Sequence, residues 1–149
     1  MRYLAFAGAG LALASGTAAI AQPGVEFSRA VFVERKLPAT GGRVTRALEP
    51  AAQLRPGDQV VLMLEWSAPA GDDGFVVSSR VPRDLVFRRS GGVEAQVSID
   101  QGRSFGPLES LRVGTRRATP EDVTHLRWRV SESDAAQGRG MLTYSAIVR

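Results

Sequence analysis

From Val25 onward the chain alternates apolar and polar residues with a period of two. Clusters of Gly, Pro, Asp and Ser interrupt the alternation about every ten residues. That pattern predicts short strands with one face buried, not helices, whose apolar positions recur every three to four residues. The clearest strand runs from Gln59 to Trp66. Val60, Leu62, Leu64 and Trp66 share one face, and Val61 and Met63 occupy the other, so both sides are expected to be covered. In Thr124–Val130, Leu126, Trp128 and Val130 point inward, while His125, Arg127 and Arg129 point outward. Met141–Val148 closes the chain with Leu142, Tyr144, Ala146 and Val148 on the inner phase.

Further strands are expected at Val25–Val33, Arg43–Leu48, Phe75–Val81 and Leu85–Phe87. In the first, Val31 and Val33 share a face. Val93–Ile99 alternates, with Val93, Ala95, Val97 and Ile99 inward, and Pro107–Val113 is a weaker strand. Turns are read at Lys36–Gly42, Gln53–Asp58, Ala68–Gly74, Arg88–Gly92 and Gly138–Gly140. Pro120–Val123 has the composition of a single helical turn. Strands this short, with no long helix to cover a sheet, predict an all-β sandwich of two antiparallel sheets, with about seven to nine strands.

The first residues do not fit this pattern. Arg2 is followed by an uncharged stretch from Leu4 to Ala21, ending in Ala19-Ile20-Ala21. A basic start, an apolar middle and a small-x-small end describe a secretory signal peptide. Residues 1–21 are therefore expected to be a leader helix, cleaved between Ala21 and Gln22. Gly, Ala, Ser and Thr dominate the run, so no stable membrane span is expected after processing. Residues 22–149 then form a single exported domain, periplasmic or secreted.

Export without any cysteine means that packing alone holds the fold. It also excludes thiol catalysis and cysteine-based metal sites. Net charge is +4, and Lys36 is the only lysine among the basic residues. The arginine bias and the alanine content fit a GC-rich bacterial genome. Arg88, Arg89, Arg116, Arg117, Arg127 and Arg129 are the candidate anion-binding residues. If they shared one face, a polyanion such as lipopolysaccharide or nucleic acid would be the partner.

Five segments in order resemble the bacterial conserved repeat domain called DUF11. They are Leu54–Val60 with Pro56-Gly57-Asp58, Ser79–Phe87 with Val81-Pro82, Val97–Phe105, Val123–Trp128, and the closing strand from Gly140. The resemblance covers residues 47–149. It implies an Ig-like sandwich on an exported protein, usually one without an assigned activity. The chain departs from the family pattern in carrying one copy and in having Ser67-Ala68-Pro69-Ala70-Gly71 where Asn-Gly is usual.

The remaining motifs read as structural. Ser98-Ile99-Asp100-Gln101-Gly102-Arg103-Ser104-Phe105 matches the Asp-box pattern S-x-D-x-G-x-[ST]-[WF]. In that pattern Ser and Asp bond the turn backbone, Gly takes a positive φ, and the aromatic residue anchors the hairpin in the core. His125 is the single histidine and falls beside two outward arginines, which disfavour the imidazolium a Ser–His–Asp mechanism needs. Asp72-Asp73 and Glu121-Asp122 supply clustered oxygens of the kind calcium favours, but nothing matches an EF-hand loop. The sequence therefore predicts a non-catalytic envelope module with no cofactor and no metal. Its expected partner is an envelope or cell-surface protein, and a polyanion bound through the arginines is the alternative.

Overall fold

The computed structural model describes residues 2–6, 24–38, 41 and 44–149. Two sheets form the body of an all-β sandwich. The strands are β1 (Arg2–Phe6), β2 (Glu26–Pro38), β3 (Val44–Pro50), β4 (Gln59–Ser67), β5 (Phe75–Arg80) and β6 (Leu85–Gly91). They continue as β7 (Gln96–Ser98), β8 (Arg112–Val113), β9 (Arg116–Arg117), β10 (His125–Val130) and β11 (Arg139–Val148). The five-stranded sheet has the order β3-β2-β4-β11-β6, and the four-stranded sheet has the order β1-β5-β10-β7. β8 and β9 make a separate small hairpin.

Register converts the alternation into a core. Across the inner face of the larger sheet, the ladder sets up rows drawn from β2, β4 and β11. These rows are Phe27–Trp66–Gly140, Arg29–Leu64–Leu142, Val31–Leu62–Tyr144 and Val33–Val60–Ala146. The opposing face is built from Phe75–Val130, Val77–Trp128 and Ser79–Leu126 pairs. Val60, Phe75, Val77, Leu126, Trp128 and Leu142 are all 2 % exposed or less. Each such side chain contributes about 1.5–3 kcal/mol by leaving water. Phe75 ties the two layers together, meeting Trp66 edge-on at 5.2 Å and Phe27 at 6.1 Å. Glycine at position 140 is required by this packing, because a Cβ there would collide with the Trp66 ring.

Several expectations are corrected. Arg2–Phe6 is a strand, not part of a leader helix, and pairs in parallel with β5, so the sandwich is not purely antiparallel. The rest of the expected leader, including the Ala21–Gln22 cleavage point, lies outside the described residues. The turn expected at Lys36–Gly42 begins later, because β2 continues to Pro38 in a hairpin with β3. Arg88–Gly92 is not a turn either: β6 runs on to Gly91, held as an edge strand by β11 across a bulge at Ser145/Ala146.

Val93–Ile99 shortens to Gln96–Ser98, with Val93 exposed and neighbours Val97 and Ser98 both buried. Alternation fails there because the Ser98 hydroxyl bonds within the following loop and so needs no solvent. The weak strand at Pro107–Val113 resolves into a 3-10 turn at Leu108–Ser110 followed by β8. The helical turn at the Pro120 segment is present as a 3-10 turn over Pro120–Asp122. A four-residue helix, Glu132–Ala135, was not foreseen, and its start is a capping box in which Ser131 and Asp134 bond reciprocally.

Candidate functional site

The two sheets do not close against each other everywhere. A cavity of about 750 Å³ opens between them, within the size range of small-molecule pockets. Its floor is the inner face of the five-stranded sheet: Arg29 and Val31 from β2, Leu62 and Leu64 from β4, and Leu142, Tyr144 and Val148 from β11. Trp128 and Ser79 contribute from the opposite layer. The loop 51–55 frames it with Leu54 and Arg55, and the β5–β6 connection frames it with Arg80, Pro82, Asp84 and Leu85. The lining is mostly aliphatic and aromatic, as expected of surfaces that alternation sends inward.

Arg29 breaks that rule. It stands in the same phase as Phe27, Val31 and Val33, and in one row with Leu64 and Leu142. A sheet position facing a packed core rarely carries an unburied guanidinium. Arg29 is nevertheless exposed, because the position opens onto the cavity. Packing around the guanidinium lowers its pKa, and the neighbouring Tyr144 opposes that shift. Tyr144 itself is driven far above the ordinary phenol range by burial, with Arg29 pulling the other way, so its hydroxyl stays protonated.

Two buried polar atoms in the wall lack a partner among the described residues. They are the Tyr144 hydroxyl and the Trp128 Nε1–H. The two rings lie 6.2 Å apart at 36°. A buried donor left unsatisfied costs about 1–3 kcal/mol, so most buried polar groups are paired. Among the described residues, Arg29, Arg55 and Arg80 bring three cations to the lining, against the single carboxylate of Asp84. The cavity is therefore apolar within, short of hydrogen-bond partners at one wall, and net positive at its polar positions.

The arginines singled out from sequence are placed elsewhere. Arg88 and Arg89 lie on β6 in the five-stranded sheet, and Arg127 and Arg129 lie on β10 in the other. Arg116 and Arg117 form β9 of the small hairpin. Arg116 grips Asp122 with both nitrogens at 2.7 Å, which holds the Asp122 carboxyl well below its usual range. Arg88 lies close enough to Glu121 to stabilise its charge, after the backbone and Thr119 hydrogen bonds that do most of that work. Arg127 donates to Gln96 Oε1 at 2.7 Å and stacks 4.3 Å above the Phe105 ring. The six are thus divided among three sheets, and at least Arg116 and Arg127 already have internal partners.

The Asp-box is a self-contained turn. Ser98 Oγ donates to Asp100 Oδ1 at 2.7 Å and accepts from the Gly102 N–H at 2.9 Å. Asp100 also accepts from the Arg103 and Ser104 N–H groups and from Ser104 Oγ at 2.6 Å. These bonds, led by Ser104, hold the Asp100 carboxyl far below the ordinary carboxylate range. Gly102 has φ +85°, and its Cα faces the His125 ring. Phe105 is only half-buried, because its ring lies under Arg127 and not in the core. Val97 and Gly106 close the loop with reciprocal backbone bonds.

His125 is on the outer face as expected, but the folded-over loop leaves it half-buried. Its Nδ1 is 3.2 Å from Thr124 Oγ1. Burial lowers its pKa, as does the field of Arg80, not of the neighbouring Arg127 or Arg129. Asp72 is buried and accepts the Gly74 N–H at 3.0 Å, as an Asx turn requires. Among the described residues no three acidic or histidine side chains converge on a point.

Sequence reasoning missed the cavity. The one available signal was Arg29, a charge on the apolar phase two positions before Val31. No protein-family model, no curated protein and no solved structure matches the chain.

Proposed function

We propose that this protein is a non-catalytic accessory module of the bacterial envelope that recognises a small apolar ligand in its inter-sheet cavity. The observation that carries the reading is the apolar cavity of about 750 Å³ left open between the two sheets. A sandwich built only for stability would fill such a space, since interiors pack to crystal-like density. Export through a cleaved leader and membership among DUF11-like domains are parts of the same proposal. They are supported by the N-terminal pattern and by the order of the five motifs.

The test is titration with the neutral hydrophobic dye Nile red. Saturable binding of one dye per chain is expected. Leu62→Trp, which fills the cavity from its floor, should abolish it while circular dichroism stays native. A folded Leu62→Trp variant that binds the dye unchanged would remove the cavity from the account.

A protein partner is the second reading, and β3 favours it. This strand is a sheet edge with Val44 and Leu48 exposed at 65 % and 49 %. Edge strands offer unpaired backbone groups to an added strand. Cross-linking in a bacterial envelope would then capture one protein reproducibly through residues 44–50, and Val44→Lys would eliminate the adduct.

A further inference from the structure

β1 closes a sheet edge that its own removal would reopen. We infer that β5 is an acceptor for a strand supplied by another envelope protein. The strand is an extended apolar segment carrying an acidic residue, and it adds parallel to β5 in the place of β1. The inference rests on the cleaved leader of the proposed function and is independent of the cavity.

β5 is built as an interior strand. With β1 in place Phe75, Val76, Val77 and Ser79 are buried, so both phases of the strand are covered. The other edges are made differently. β3 carries Arg46 and Glu49, β6 carries Arg88 and Arg89, and all four are exposed. β7 has only three residues, and Gly106 bonds Val97 on the side away from β10. Charge, brevity and a covering loop are the usual protections of an edge. β5 has none of them before its last residue, Arg80. Removal of residues 1–21 would leave this interior strand at the margin of its sheet.

Register names the backbone groups that become free. The Val81 N–H bonds the Thr124 carbonyl, in step with the β5–β10 ladder. Backbone groups point to alternate sides along a strand. Phe75, Val77 and Ser79 therefore turn theirs to β10, and Val76, Ser78 and Arg80 turn theirs to β1. Tyr3 is paired with Val76 and Ala5 with Ser78, which places Leu4 between them. The Leu4 N–H thus meets the Val76 carbonyl, and the Ser78 N–H meets the Leu4 carbonyl, in the slanted pattern of parallel strands. A replacement strand pairs with these same groups.

Charge separates a foreign strand from a second copy. β5 and β10 carry Arg80, Arg127 and Arg129 and no carboxylate. Antiparallel pairing of two copies about Ser78 would lay Arg80 of one across from Val76 of the other, one strand from Arg129. Like charges gathered on one face oppose that arrangement. The same field favours an acidic residue in the row of Ser78 and Arg127.

The experiment uses the chain recovered from a bacterial envelope, its intact mass showing loss of residues 1–21. The probes are fluorescent peptides of residues 2–8, with binding read by anisotropy. The unmodified peptide should bind saturably, one per chain, and raise the thermal midpoint. N-methylation at Leu4 removes an N–H that meets β5 and should weaken binding about tenfold. N-methylation at Ala5, whose N–H points away, should leave affinity within about twofold. Ala5→Glu in the peptide should tighten binding about two- to fivefold at low salt, a gain lost at high salt. Equal effects of the two N-methyl groups, or no peptide binding by a folded processed chain, would overturn the acceptor edge. Dimerisation of the processed chain through β5 would give the edge to a second copy and overturn the foreign strand. A glutamate peptide that binds no tighter would overturn the acidic assignment. A chain recovered with residues 2–6 still attached would overturn the cleaved leader, and this inference with it.

Discussion

The loop from Ser98 to Gly106 and the cavity between the sheets treat their polar groups in opposite ways. In the loop, Ser98, Asp100 and Ser104 turn their oxygens onto one another and onto nearby backbone N–H groups. In the cavity wall, Tyr144 and Trp128 are as buried as Ser98, yet their polar atoms have no partner among the described residues. The loop is the more conspicuous feature of the sequence. Its motif is contiguous, and its chemistry is complete without a ligand. The cavity is assembled from single residues on β2, β4, β10 and β11 and leaves capacity unused. Motif density therefore marks local stability here, and the open space between the sheets marks the candidate site.

Five substitutions separate the two regions. The largest effect is expected at the cavity floor. Leu142→Ala, at a position 2 % exposed, should lower stability by about 2–5 kcal/mol in urea unfolding. Leu62→Ala, half-buried beside existing open space, should lower it by a smaller amount. Equal losses would mean that Leu62 faces a closed core and would erase the contrast between floor and cavity.

Asp100→Ala should come next, lowering the thermal midpoint by several degrees and leaving dye binding unchanged. The folded-state pKa of Asp100 lies below its unfolded value. Its contribution is therefore complete above about pH 4 and is lost as pH falls through the lower, folded value. Asp122, lowered chiefly by Arg116, adds to the same acid-side loss. Stability measured between neutral and strongly acid pH should accordingly fall less steeply in the alanine variant. Parallel curves would show that the loop bonds contribute nothing.

Gly102→Ala should cost about 1 kcal/mol, because φ is +85° there and the nearest ring atom, on His125, is still at an ordinary 3.5 Å. A loss of several kcal/mol would show that loop and strand are more tightly packed than this spacing allows. The smallest effect is expected for Tyr144→Phe. Removing a buried hydroxyl that has no partner among the described residues should leave unfolding of the chain within about 0.5 kcal/mol of wild type. A large stability loss would reveal a hydrogen bond to that hydroxyl.

The sequence by itself determined the strands and their faces. Alternation in β4, β10 and β11 placed Val60, Leu64, Trp66, Leu126, Trp128, Leu142 and Tyr144 inside, and all are buried. It succeeded because a strand's side-chain period is a local property of the backbone. The Asp-box was legible for a similar reason, since its hydrogen bonds span four residues or fewer. Where a strand's neighbour set the outcome, local reading failed: β6 extends because β11 pairs with it, and Arg2–Phe6 is a strand because β5 offers an edge. The arginines could be assigned to faces but not to sheets, so their division was invisible until topology separated β6, β9 and β10. Only the tertiary structure decided the cavity. An inward phase says that a residue leaves water, while the distance between two sheets and the register of three strands decide whether anything meets it there.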